Sequence, residues 1–407
     1  MSELCPARDV SPDRDRCIKS NEYDLLMERR QMKLSTLMIG GLGMLSMSAF
    51  AQSSVTLYGV IDTGIEYVSH ANTGGGKVIR MPGITGELPS RWGLRGSEDL
   101  GGGLKTVFQL ENGFNPRGGD IGQGGRLFGR QAWVGLQGPW GQVSLGRQYS
   151  MTFWGLTDSD ILGPDIYGSA SLDAYIPNAR SDNTIAYMGA FHGLTLGATY
   201  SLGRDSAGTG NSPGQGTCAG QVAGHFPQCR QWSAMVKYDT STFGASAAYD
   251  EQRGGTGAAA NFFNGIAPFG LTNEGDKDIR MLVSGYAKLG QVKMGAGWVG
   301  RHVETVSPTV PDVRSNLFFV GASYQITPAA LLDGEVFRII NSEQDTRASM
   351  TTLRGTYLLS KATAVYLQGS YLWNSARAHY SLSSGGGTTP AAGAGQLGLM
   401  AGVRHLF

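Results

Sequence analysis

After residue 51 the sequence has no stretch both long and apolar enough to cross a bilayer as a helix. Two long charge-free segments, 254–273 and 381–403, are interrupted by Gly, Pro, Asn, Ser or Thr. Neither supplies the ~20 consecutive apolar residues that a spanning helix needs. Charge is also scarce. Asp, Glu, Lys and Arg make up 16% of the 407 residues and balance to +1 at pH 7. That balance argues against nucleic acid as a partner, because such partners require a basic patch. Catalytic signatures are missing too. There is no H-E-x-x-H and no G-x-S-x-G. The stretch GSEDLGGGLKT (96–106) has the glycines of a phosphate loop but not its Gly-Lys-Ser/Thr, and it falls in a turn between strands rather than before a helix. The six histidines are scattered over positions 70, 192, 225, 302, 379 and 405. No metal site and no cofactor are expected.

Cysteine is rare, with four in the chain, and two of these, Cys5 and Cys17, lie in the first 31 residues. That hydrophilic segment precedes KLSTLMIGGLGMLSMSAFA (33–51), which has a basic start at Lys33, an apolar run from Leu34 to Met47 and an Ala49-Phe50-Ala51 cleavage site. This is the plan of a secretory signal peptide. We expect 1–31 to be a mis-called or non-mature extension, 32–51 the signal peptide with Met32 as its start, and 52–407 the mature domain. Losing 1–51 removes seven bases and seven acids, so the +1 balance survives. Cys218 and Cys229 then remain as an even pair in an exported chain, for which a disulfide is the default. Zinc would need two further ligands. His225 is one candidate, and no second stands nearby.

Glycine is abundant: 62 residues, about twice the ordinary usage. It accompanies apolar residues recurring with a period of two, which points to an all-β chain. In VTLYGVIDTGIEYV, Val55, Leu57, Ile61, Ile65 and Tyr67 share one face, and Thr56, Tyr58, Asp62 and Glu66 the other. Sixteen such strands can be drawn: 55–68, 90–98, 104–112, 126–137, 142–148, 183–190, 194–201, 230–238, 244–250, 278–288, 291–302, 315–326, 330–340, 348–358, 364–376 and 396–407. Short connections (99–103, 138–141, 239–244, 289–290, 327–329, 359–363) alternate with long ones (69–89, 113–125, 148–182, 202–229, 251–277, 303–314, 377–394). That is an up-and-down meander with turns at one end and loops at the other. In lipid, backbone groups are satisfied only within a helix or a closed sheet. The expectation is therefore a transmembrane antiparallel β-barrel of 16 strands. Tyr58, Tyr67, Trp298, Tyr357, Tyr371 and Trp373 are candidates for its aromatic girdles. The strand 126–137 alternates poorly, since Val134 and Leu136 share parity with Arg130. A β-bulge or a subunit contact would each account for that.

Five segments carry a resemblance: SSVTLYGVIDTGIEYV, SRWGLRGSEDLGGGLKTVFQLENGF, FGRQAWVGLQGPWGQVSLGRQY, RSDNTIAYMG and the ending GVRHLF. In this order, across 53–407, they resemble the general-diffusion porins of Gram-negative bacteria. The resemblance implies a cell outer-membrane homotrimer, each barrel a passive channel for small hydrophilic solutes and ions. It implies contact with outer-membrane lipid and lipopolysaccharide, and a C-terminal strand ending in Phe407 that carries the signal for the barrel-assembly machinery. It implies a third long loop, 148–182, folded inward to form a constriction. Asp158, Asp160, Asp165 and Asp173 on that loop would face Arg91, Arg130 and Arg180 on the wall. The PEFGG loop tip of the enteric porins is absent, and ILGPDIYG stands near its place. Facing charges of this kind set up a transverse field that sorts ions, with a mild anion preference expected. The competing reading is an outer-membrane barrel enzyme or adhesin without an open pore. A lipid hydrolase would need Ser, His and an acid or carboxamide together on the wall, and nothing marks such a trio.

Overall fold

The computed structural model describes residues 54–83, 85–205 and 217–407. The extension and signal segment (1–51) lie outside the described residues.

Sixteen strands form one closed antiparallel barrel: β1 (Ser54–Val68), β2 (Arg91–Gly101), β3 (Leu104–Gly113), β4 (Gln131–Gly138), β5 (Gly141–Tyr149), β6 (Arg180–Phe191), β7 (Leu194–Ser201), β8 (Gln231–Asp239), β9 (Phe243–Arg253), β10 (Lys277–Leu289), β11 (Val292–Glu304), β12 (Val313–Thr327), β13 (Ala330–Asn341), β14 (Thr346–Leu358), β15 (Thr363–Asn374) and β16 (Gln396–Leu406). Each strand pairs with its sequence neighbour. The ring closes where β16 meets β1, from Val60 opposite Leu406 to Val68 opposite Gly398. Closure gives every backbone group a partner, so no strand edge faces lipid. Phe407 extends the seam: its N–H donates to Gly59 O (3.1 Å) and its carbonyl accepts from Gly59 N (2.9 Å). A side chain at residue 59 would collide with the Phe407 ring. That ring stays half-exposed on the outward face.

The alternating pattern maps onto the barrel's two faces. Val55, Leu57, Ile61 and Ile65 point outward and are exposed, while Asp62 and Glu66 are buried inside. Tyr58 departs from the girdle expectation. It points inward, and its hydroxyl donates to Glu111 (2.8 Å). The irregular 126–137 segment is also resolved. Strand β4 begins only at Gln131, so Arg130 lies before it and the strand's parity does not apply.

The barrel interior is not uniformly polar. Inward residues of β8–β14, including Met235, Leu282, Val299, Phe319, Phe337 and Met350, form an apolar core with the segment between β5 and β6. That segment contributes Met151, Leu156, Leu162, Ile166, Tyr167, Leu172 and Ile176. It contains a short helix, α1 (Met151–Leu156), and 3-10 turns at Ser169–Ser171 and Ile176–Asn178. Full burial of each large apolar side chain contributes ~1.5–3 kcal/mol. The loop is thus part of the protein's core rather than an appendage.

A second, smaller core lies among the long loops. Cys218 and Cys229 form a disulfide with Cα atoms 5.2 Å apart. It packs with Phe262, Leu271, Val303 and Val313 beside the hairpin Ala259–Ala260/Phe269–Gly270. The bridge closes 11 residues, which restricts the unfolded chain by about 3 kcal/mol. The double variant Cys218→Ser/Cys229→Ser is expected to lower the unfolding temperature and leave single-channel conductance unchanged. Heat-modifiability on gels and bilayer recordings check the two parts.

Candidate pore constriction

The three arginines expected on the wall come together. Arg91 opens β2, Arg130 precedes β4 and Arg180 opens β6, so three strand ends deliver them to one place. Glu111, on β3, links two of them: Arg130 Nε donates to Oε1 (2.6 Å), and Arg91 Nε stands 3.6 Å from Oε2. Tyr149, at the end of β5, links the third. Its hydroxyl accepts from Arg130 Nη2 and Arg180 Nη2, each at 2.8 Å, and its ring lies 4.5 Å below the Arg180 guanidinium. Phe153 stacks on the other side of this ring, with centroids 3.7 Å apart. The order Arg91–Glu111–Arg130–Tyr149–Arg180 is therefore one connected chain of side chains.

More basic groups adjoin it. Arg147 Nε donates to the carbonyl of Gly129, next to Arg130, and Arg147 Nη1 bonds Asp182 (2.5 Å). Arg126 bonds Asp205 and lies 3.7 Å from Asp182. A β-bulge in β5 between Gly146 and Gln148 makes this possible. It leaves Arg147, Gln148 and Tyr149, three consecutive residues, all buried.

The loop acids occupy a different place. Asp158 pairs with Lys237 of β8. Asp160 is buried within its own loop, accepting from Gly163 N (2.8 Å) and Ser169 Oγ (3.1 Å). Asp165 is fully buried and accepts from Arg354 of β14 (2.9 Å). Asp173 receives Arg280 of β10 (3.0 Å). Burial pushes the Asp165 carboxyl up to about 7, against the pull of the Arg354 guanidinium. These carboxylates tether the loop to β8, β10 and β14. Asp160 and Asp165 present no acidic surface towards the arginines.

Hydrogen bonds to the loop backbone complete the tether. Glu335 of β13 accepts from the backbone of Ile161 (3.3 Å) and Leu162 (2.8 Å). Ser284 donates to the carbonyl of Gly155 (2.8 Å), and Thr352 to that of Tyr167 (2.9 Å). Gly295 of β11 lets the loop pass close by, since a Cβ there would fall on Ser159 O. The connection between β1 and β2 joins in as well. Glu87 accepts from Arg404 (2.7 Å), and Ile166 N donates to Gly86 O (3.0 Å). Loop 148–182 is thus bound to the inward faces of four wall strands, β8, β10, β13 and β14.

Glu111 and Tyr149 were missed in the sequence. Glu111 lies in the family-like stretch LENGF, and its even spacing from Gln109 and Val107 puts it on their inward face. Tyr149 ends the family-like stretch FGRQAWVGLQGPWGQVSLGRQY, but its inward turn carried no signal, because the bulge that produces it is not visible in the alternation.

Comparison with known proteins matches residues 36–377 to the Gram-negative porin family. An outer membrane porin of Bordetella pertussis is 31% identical over 364 residues, covering 80% of this chain and 91% of the relative. The chain belongs to the Gram-negative porin family. Outer membrane porin protein 32 of Delftia acidovorans is 29% identical over 372 residues, covering 88% of this porin and 96% of that one. Among solved structures, the anion-selective porin from Comamonas acidovorans superposes with a TM-score of 0.71 at 24% identity, over 88% of this chain and all of that one. The porin is an outer-membrane diffusion channel. Its connected arginines and tethered loop lie within the barrel that forms the channel.

Proposed function

We propose that the porin passes small hydrophilic solutes and ions passively, with its narrowest region between the tethered loop and the Arg91–Arg130–Arg180 wall, and that it prefers anions. The observation behind this is the grouping of guanidiniums from Arg91, Arg126, Arg130, Arg147 and Arg180 on one side. Asp158, Asp165 and Asp173 of the loop pair instead with Lys237, Arg354 and Arg280 on other strands. A passing ion senses the charge of these arginines even where their surface is covered, because the low-dielectric wall screens little. Arginine keeps that charge at any physiological pH.

The same reading takes the porin as a homotrimer in contact with lipid and lipopolysaccharide, delivered by the assembly machinery through the strand ending at Phe407, and as a channel rather than an enzyme. A trimeric form is described for a solved barrel of Vibrio cholerae with 14% identity to this chain. Among the described residues no site supports the enzyme or adhesin alternative. Purified porin in a planar bilayer is expected to give ohmic, stepwise conductance in threes, with a reversal potential of anion sign in a salt gradient. A closed barrel, or a reversal potential of cation sign, would refute the reading.

A further inference from the structure

Three of the long connections fold into the mouth of the barrel and join there. The first is 377–394, between β15 and β16. Ala378, Tyr380 and Leu382, at alternate positions, are buried in one apolar cluster with Ile166, Tyr167 and Leu172 of the constriction loop. Their backbone is fixed to the wall. Asn374 of β15 accepts from Tyr380 N (3.1 Å) and donates to the Tyr380 carbonyl (2.9 Å), and Gln396 of β16 accepts from Leu382 N (2.7 Å). It is fixed to the constriction loop as well. Ser171 Oγ donates to the Leu382 carbonyl (2.5 Å), and Ser384 N to that of Ile166 (3.0 Å). Gly398 of β16 leaves the room for this, since a Cβ there would strike Leu382 and Tyr167. The connection therefore lies inside the barrel, packed on loop 148–182.

The second is the connection between β9 and β10. His379 N donates to the Asn264 carbonyl (2.9 Å), and Asn264 Nδ2 donates to Thr346 Oγ1 of β14 (2.8 Å). Both Asn264 and Thr346 are buried. Strands β10 and β15 are separated by four others, about 24 Å of wall at ~4.8 Å per strand. Two connections rooted that far apart thus meet against the inner wall between them. The third is the connection between β1 and β2. Its short strand Val78–Arg80 pairs with β1 and sets Arg80 opposite Glu66. Arg80 Nε donates to Glu66 Oε2 (2.7 Å), Nη1 to the Gly386 carbonyl (2.7 Å) and Nη2 to Ser383 Oγ (2.9 Å). One guanidinium thus ties the tip of 377–394 to β1. Gly386 and Gly387 have φ of +71° and +72°, a conformation that glycine adopts without penalty. Thr389 N adds a bond to the Ala71 carbonyl (2.9 Å).

The three connections form one continuous cover along the arc from β14 through β16 to β1. Arg91, Arg130 and Arg180 come from β2 to β6, outside that arc. We infer that the cover is a second size filter, ahead of the constriction, and that Arg80 is the positioning residue that holds it in place. Solutes arriving from the loop end are confined to the arginine side before they reach the narrowest region. The inference rests on the proposed passive channel. A constriction in mid-barrel sieves solutes alike from either end, whereas a cover at one end adds a limit for that end.

The test is polymer exclusion in planar bilayers. Polyethylene glycols of graded size are added to one side of single channels of known orientation. The largest polymer that enters, and so lowers the conductance, is read for each end. In the parent the limit is expected to be smaller from the loop end than from the turn end. Arg80→Ala should raise the loop-end limit towards the turn-end value and leave the turn-end limit where it was. Arg80→Lys keeps a charge beside Glu66 but loses the fork, so it should raise the loop-end limit less. Deleting Gly385–Gly387 removes the carbonyl that Arg80 holds without touching Tyr380 or Leu382. It should also raise the loop-end limit, and it carries the test if Arg80→Ala does not fold. Equal limits at the two ends of the parent overturn the filter. A loop-end limit unchanged in both variants, even with a lowered unfolding temperature, overturns the role of Arg80 in it. A barrel that carries no current at all refutes the channel reading, a result distinct from either.

Discussion

An Arg354→Ala porin is expected to lose about 3–5 kcal/mol of stability, the usual cost of removing one partner from a buried ionic cluster. Arg354 sits among three carboxylates. It bonds Asp165 (2.9 Å) and Asp333 (2.8 Å) and lies 3.7 Å from Glu87. Asp165 belongs to the constriction loop, Glu87 to the β1–β2 connection and Asp333 to the wall. One guanidinium thus ties two inward segments to β13 and β14. Its removal leaves three buried acids in mutual repulsion, with Arg404 alone to answer Glu87. The unfolding temperature should fall, and the loop should move enough to make the open-channel current noisy. Thermal unfolding followed by gel mobility reads the first, and single-channel recording the second. A variant with the parent's melting point and a quiet current would show that the apolar contacts of the loop suffice. Arg354→Lys restores a charge but not the fork, so it should recover only part of the loss.

The double variant Arg130→Gln/Arg180→Gln is expected to turn the porin from an anion-preferring to a near-neutral or cation-preferring channel. A unit charge about 7 Å from a passing ion contributes ~0.6 kcal/mol even in water, a bias of roughly threefold. Two charges therefore change the permeability ratio by about tenfold. Glutamine keeps a donor for Tyr149 and leaves Glu111 its contact with Arg91 (3.6 Å), so the barrel should still fold. Reversal potentials across a salt gradient measure the ratio. An unaltered ratio would place the selectivity elsewhere in the pore. The same measurement at high salt should show a smaller difference, since screening shortens the reach of the removed charges.

The arginines were accessible from sequence because their surroundings are local. Arg91 in SRWGL, Arg130 in GRQAW and Arg180 in ARSDN stand at or beside strand ends, in stretches whose residue types are distinctive. The acids of the loop were harder to place. Their number and position in 148–182 were plain, but which way each turns depends on contacts with strands 79 to 189 residues away, as Asp158–Lys237 and Asp165–Arg354 illustrate. Proximity in sequence carries no information about such pairs. Glu87 was passed over for the same reason: its partner Arg404 is at the far end of the chain.

The β-strands and their two faces follow from local chemistry. Alternation of apolar and polar residues with a period of two fixes which side chains meet lipid, and an exported chain without a spanning helix has closure as its way to satisfy the backbone. The sixteen strands and the joining of β16 to β1 could therefore be read residue by residue. The apolar half of the interior, the inward path of the constriction loop and the Glu111–Tyr149 link between the arginines could not. Each arises when residues from distant strands are brought onto one inner wall, and the β5 bulge that turns Tyr149 inward breaks the very periodicity from which orientation is inferred.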